Sequence, residues 1–95
     1  MDCTKHVTLE FGIPYRDMLP DKVLCIPIRE DWSIADLMGA FLADNHAFVE
    51  QSAERGYFDG QKLKAVYTLN GRLVSVEERI TDGDSIRVIV PIVGG

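Results

Sequence analysis

The 95-residue chain is poor in cysteine. Cys3 and Cys25 stand too far apart for a CxxC pair and are too few for a zinc or iron–sulfur centre. In a reducing compartment both are expected to be free, partly buried thiols. No apolar run approaches the roughly 20 residues that a membrane-spanning helix needs. Met1–His6 has neither the apolar stretch nor the cleavage site of a signal peptide, so a cytoplasmic location without membrane contact is expected. Positive charge is in deficit: 10 Lys and Arg face 15 Asp and Glu, a formal net charge of -5. Such a surface repels phosphates, which argues against a nucleic-acid partner. It suits a partner with a basic groove, although the same acidity also serves solubility. Catalytic signatures are lacking too. The chain has no GxxxxGK loop, no GxGxxG and no GxSxG elbow. His6 and His46 are isolated, and Glu77-Glu78 and Asp82/Asp84 suit solvated turns better than acid–base work. A domain this small leaves little room for a closed active site. No catalytic residue, no metal and no bound cofactor are expected.

What the chain does contain is an ordinary globular balance, 46% apolar and 26% charged, enough for one compact core. Val7, Leu9 and Phe11 alternate with polar neighbours, so Cys3–Phe11 reads as a strand. Leu24, Ile26 and Ile28 predict a second strand, which Pro27 confines to a sheet edge because it cannot donate to a ladder. Ser33 is a helix N-cap with Asp36 three residues on, and Trp32 with Leu37 can form a hydrophobic staple. From there Ile34, Leu37, Met38, Phe41, Leu42, Phe48 and Val49 form one stripe, predicting a single long helix that ends near Gly56. Lys64–Asn70 predicts a third strand with Ala65, Tyr67 and Leu69 on one face. The Asn70-Gly71 turn leads to a short strand, Arg72–Val74. After the Asp82-Gly83-Asp84 turn comes a last strand, Ser85–Val90. One amphipathic helix on one face of a five-stranded mixed sheet is an α+β arrangement, in which the helix is the crossover that a parallel pairing requires.

The C-terminus stands apart. Pro91 stops the ladder, and the uncharged residues Ile92, Val93, Gly94 and Gly95 follow. Two terminal glycines arise by chance in about 0.5% of chains, given ordinary glycine usage. Residues 91–95 are therefore read as an extended, mobile tail on a domain of residues 1–90. Lacking side chains at its last two positions, the tail can pass through a narrow channel of a partner. A free carboxylate is a poor acyl donor; adenylation by ATP makes it a good one. Sulfide or persulfide attack then gives a thiocarboxylate, whereas amine or thiol attack gives a conjugate. In either case the catalytic groups belong to the partner.

The stretch Asp82–Gly95 resembles the C-terminus of the molybdopterin-synthase small subunit and of the thiamine sulfur carrier, relatives of ubiquitin. The Asn70-Gly71 turn and the helix start Trp32–Leu37 sit where that family has its landmarks. The resemblance implies a β-grasp (ubiquitin-like) fold. It also implies adenylation by a ubiquitin-activating-type enzyme that uses ATP, and a thiocarboxylate on the last glycine. Carried over, Gly95 is the adenylated, sulfur-accepting residue and Gly94 the channel glycine, preceded by Val93 and Ile92. A sulfur-accepting synthase subunit or enzyme is the second implied partner, with Pro91 favouring the molybdopterin branch. Two departures are the length of Asn45–Lys62 and the bulk of Ile92-Val93. On the sheet face away from the helix, Arg87 and Ile89, joined by Val66 and Thr68, are expected to dock the partner. Two alternatives share these features: a modifier conjugated through Gly95 to lysines of other proteins, and a β-grasp interaction module that never reacts.

Overall fold

The computed structural model describes residues 5–13, 15–19, 23–59 and 62–89. Strand β1 (Lys5–Phe11) is followed by a 3-10 turn at Tyr15–Met18 and by β2 (Val23–Ile28). Helices α1 (Ile34–Asp44) and α2 (His46–Glu54) come next, then the two-residue strands β3 (Phe58–Asp59) and β4 (Lys62–Leu63). The chain continues with β5 (Val66–Leu69), β6 (Arg72–Val74) and β7 (Ser85–Ile89). Five strands form one sheet in the order β2-β1-β7-β5-β6, and β3 and β4 make a separate small hairpin. β1 runs parallel to β7, while the other pairs in the sheet are antiparallel. This mixed order with the first and last strands side by side is the β-grasp arrangement.

Strand alternation builds the core. Val7, Leu9 and Phe11 from β1 and Ile86 and Val88 from β7 are buried beneath Ile34, Leu37, Met38 and Phe41 of α1. β2 is an edge strand, and Pro27 stands opposite His6. The His6 N–H donates to the Asp82 carboxylate and its carbonyl accepts from the Gly83 N–H, so the backbone of His6 faces away from β2. Pro27 therefore lies in a non-bonded pair, and its missing N–H faces the free edge. The Asn70-Gly71 turn has φ of 51° and 88°, the left-handed pair that a tight hairpin requires.

Two expectations are corrected. The helix is not one long element but two, broken at Asn45 (φ -130°, ψ 67°). The Asn45 side-chain amide donates to the Phe41 carbonyl at 2.7 Å, supplying a local alternative to the helical backbone bond. A continuous helix from Ile34 to Arg55 would be about 33 Å long, and the seven-residue β1 spans only about 23 Å. The break turns α2 back so that Phe48 packs on Phe11, Tyr15 and Phe41, with ring centroids 5.4 to 5.7 Å apart. Phe48 stays in the core, whereas Leu42 and Val49 are only half-buried. The second correction is Cys25, which is free but exposed rather than partly buried. It lies opposite Thr8 on the outward face of β2, with burial going instead to Ile28 and, in part, to Leu24 and Ile26. Cys3 lies outside the described residues, as does Val90.

Phe41 is 4% exposed, with its ring 5.1 Å from that of Phe11. Phe41→Ala is expected to destabilise by about 3–5 kcal/mol through lost transfer energy and the cavity left behind, read as a lower denaturation midpoint. Tyr15 is fully buried and its hydroxyl donates to the Lys64 carbonyl. Burial first, then the neighbouring Tyr67 and Tyr57, push its pKa up from 10.0 to about 12. The folded state thus favours neutral Tyr15. This contribution is complete below pH 10 and is lost as pH rises towards 12. Denaturation midpoints across that window should fall, and Tyr15→Phe should lessen the slope. Some slope will persist, because burial also raises the pKa of Tyr67.

Candidate docking face and C-terminal arm

Helices cover one side of the sheet, so alternation sends every second strand residue to the open side. The registers align these residues into a row across all five strands. Val23 on β2 faces Glu10 on β1, Glu10 faces Arg87 on β7, Arg87 faces Thr68 on β5, and Thr68 faces Leu73 on β6. Beside this row, nearer the end of β7, Ile89 faces Val66. The four face residues expected from the sequence, Arg87, Ile89, Val66 and Thr68, are therefore brought together on two adjacent strands. Arg87 donates to Glu10 at 3.3 Å. Both side chains are well exposed, so this ion pair contributes at most about 1 kcal/mol; its effect is to orient the guanidinium over the face.

Sequence reasoning missed two members of the face. Leu73 is 69% exposed and Val23 is 51% exposed. Each sits in a strand whose own pattern does not reveal which side its neighbours present, and only the register assigns both to the open face. Among the described residues, four of the six exposed large apolar side chains (Val23, Val66, Leu73 and Ile89) lie on this one side. Val66 and Ile89 are direct neighbours, while Val23 and Leu73 lie on the two edge strands with Glu10, Arg87 and Thr68 between them.

The face adjoins the place where the chain heads for its C-terminus. β7 is held on both sides, by β1 and by β5, and the Gly12 N–H donates to the Val88 carbonyl at 2.9 Å, a bond near the end of the strand. The expected reacting and channel residues, Gly95, Gly94, Val93 and Ile92, lie outside the described residues, beyond Ile89. Among the described residues no group of three His, Cys, Asp or Glu side chains could hold a metal ion, and no helix is long and apolar enough to cross a membrane.

No family model matches the chain, and no curated protein matches it in sequence. Solved structures do match. The small archaeal modifier protein 1 of Haloferax volcanii superposes with a TM-score of 0.75 at 16% identity, covering 93% of this chain and 99% of that one. A chain from the complex of subunits 1 and 2 of the molybdopterin-converting factor of Helicobacter pylori 26695 gives a TM-score of 0.58 at 21% identity, covering 95% and 99%. The Urm1 protein of Trypanosoma brucei gives 0.58 at 17% identity over the whole of both chains. These likenesses establish a ubiquitin-like β-grasp fold extending over nearly the full length.

Leu73 is well exposed, Ile89 about a third exposed, and neither belongs to the core cluster, so Ile89→Asp and Leu73→Asp should each cost about 1 kcal/mol or less, with the larger effect at Ile89. Equilibrium denaturation checks this; a large loss in either variant would place that side chain in the core instead.

Proposed function

We propose that this chain is a ubiquitin-like sulfur carrier whose reacting group is the carboxylate of Gly95. The observation that carries the reading is the sequence Pro91-Ile92-Val93-Gly94-Gly95, which follows in the chain one residue after the central strand β7, whose Arg87 and Ile89 lie on the open face. The fold shared with a molybdopterin-converting chain supports it. An activating enzyme would dock on the Arg87, Ile89, Val66 and Thr68 face and take the arm into its channel. A Gly95 carboxylate oxygen would attack the α-phosphorus of ATP, releasing pyrophosphate and leaving an acyl adenylate. Hydrosulfide attack on the acyl carbon would then expel AMP and leave a thiocarboxylate. A persulfide donor would first give an acyl disulfide, which a thiol of the partner reduces to the same product. The sulfur would pass to an acceptor enzyme or synthase subunit, with molybdopterin synthesis the favoured destination. This chain supplies the acyl group, the reach and the docking face; the partners supply ATP and the catalytic groups.

The absence of side chains at the last two positions matters at the acyl carbon. A Cβ at position 95 would crowd the nucleophile's approach, and one at position 94 would widen the backbone beyond what a narrow channel admits. Conjugation to protein lysines is the second reading, favoured by the likeness to a chain named as a modifier. It uses the same adenylate and differs in the nucleophile.

The test is incubation with ATP, a sulfur source and the cognate activating enzyme, followed by intact mass measurement. Exchange of one carboxylate oxygen for sulfur supports the carrier reading, while isopeptide-linked products support the modifier. Deleting Gly94-Gly95 should leave thermal stability almost unchanged and abolish adenylation, since the carboxylate then falls short by about 7 Å of extended chain. Gly95→Ala should slow the reaction without abolishing it, and Ile89→Asp should weaken activation. Wild-type adenylation of the truncated chain would overturn the proposal.

A further inference from the structure

The edge strand β2 carries no charge along its whole length, Val-Leu-Cys-Ile-Pro-Ile, although charged side chains are a usual guard against unwanted pairing at a sheet edge. Among the described residues no strand lies beyond it. The direction of its free backbone groups follows from the other side of β1. His6, Thr8 and Gly12 direct backbone bonds towards Asp84, Gly83 and β7. The intervening residues Lys5, Val7 and Leu9 therefore exchange bonds with Ile28, Ile26 and Leu24. This leaves the N–H and C=O of Val23 and Cys25, and the C=O of Pro27, pointing out from the sheet edge.

A groove of about 390 Å³ runs beside that edge, between β2 and α1. Leu24 and Ile26 form its strand wall, Trp32 and Phe41 contribute aromatic surface, and Ala40 and Asp44 form its helix wall. Leu24, Ile26 and Trp32 are half-buried and Asp44 is exposed. The groove thus has a row of backbone donors and acceptors on one side, an apolar floor, and a carboxylate on the other side.

From this combination we infer that the β2–α1 groove binds an extended segment of another polypeptide, added as a sixth strand, with alternating apolar side chains and a lysine or arginine beside Asp44. Backbone bonds to Val23, Cys25 and Pro27 supply the affinity, and the groove takes every second side chain. The charge decides between candidate occupants. A second copy would bring another chain of net charge -5 and another Asp44 against this wall, whereas a basic-flanked segment is complementary to it. The lone proline limits pairing at one end, because a facing carbonyl finds no donor at Pro27, and so favours one register. The site uses neither Gly94-Gly95 nor Arg87, Ile89, Val66 and Thr68, and shares only the edge residue Val23 with the open face, so a partner could occupy it while those residues are engaged elsewhere.

Titration with a short synthetic peptide of alternating valine and threonine, ended by lysines, tests the inference by amide chemical shifts of the full chain. The largest shifts should fall on Val23, Cys25, Trp32 and Asp44, with the Cys25 amide gaining protection from exchange. Cys25→Pro removes an outward donor without touching a bond to β1 and should abolish binding. Asp44→Lys adds a cation to the last turn of α1, where the helix dipole favours one. It should weaken the lysine-ended peptide on the order of fivefold, as loss of an exposed ion pair does, and improve binding of a glutamate-ended counterpart. If Cys25→Pro fails to fold, the reversal of charge preference in Asp44→Lys decides. Shifts confined to other faces, unchanged affinity in the folded variants, or a β2-paired dimer of the chain that excludes the peptide would overturn the inference.

Discussion

The parallel pairing of β1 with β7 is the constraint from which the rest of the molecule follows. A parallel pair cannot be closed by a hairpin, so nearly the whole chain between Phe11 and Ser85 must act as its crossover. The pair carries the most deeply buried strand residues, Val7, Leu9, Phe11, Ile86 and Val88, each no more than 1% exposed. β2 can then add only outside β1, and β5 only outside β7. The last strand consequently lies in the centre of the sheet, secured from both sides.

The two ends of the sheet are built differently. At the end where β7 begins, polar groups lock the turns together. The Asp82 carboxylate accepts from the His6 N–H, the Asn70 side chain bonds to both Ser85 and Asp84, and the Gly83 N–H donates to the His6 carbonyl. Nearby, the start of α1 is satisfied twice over. Ser33 and Asp36 complete a capping box, and the N–H groups of Ile34 and Ala35 donate to the carbonyls of Glu78 and Val76. That network makes the long segment between β6 and β7 part of the rigid body although it has little regular structure. Towards the other end, the open face carries Val66 beside Ile89, with Val23 and Leu73 on the edge strands and Glu10, Arg87 and Thr68 between them. A partner approaching this face meets these side chains and one oriented ion pair, Arg87 with Glu10.

Asn45 shows how one polar residue reshapes a helical region. The apolar stripe continues in register from Phe41 to Phe48, so periodicity alone describes one helix. The competing hydrogen bond from the Asn45 side chain and the short sheet underneath favour a break, and α2 instead closes an aromatic cluster with Tyr15 and Tyr57. The segment that makes Asn45–Lys62 long is thus α2 with the β3–β4 hairpin. Tyr15 ties this region to β5 by donating to the Lys64 carbonyl, two residues before that strand begins.

Local chemistry was enough to read several features directly. The N-cap at Ser33, the left-handed turn at Asn70-Gly71 and the edge position forced by Pro27 each depend on a few adjacent residues. So does the alternation that buries Ile86 and Val88 while exposing Arg87 and Ile89, and the diglycine that distinguishes the C-terminus needs no fold to be noticed. Tertiary structure decided what depends on residues distant in the chain. The split at Asn45 combines a local bond, from its side chain to the Phe41 carbonyl, with a sheet too short to back one long helix, and only the second depends on distant residues. The exposure of Cys25 came from which side of β2 meets α1. The membership of Leu73 and Val23 in the open face came from strand register, because residues 50 positions apart share a row only once the hydrogen-bond ladders align them.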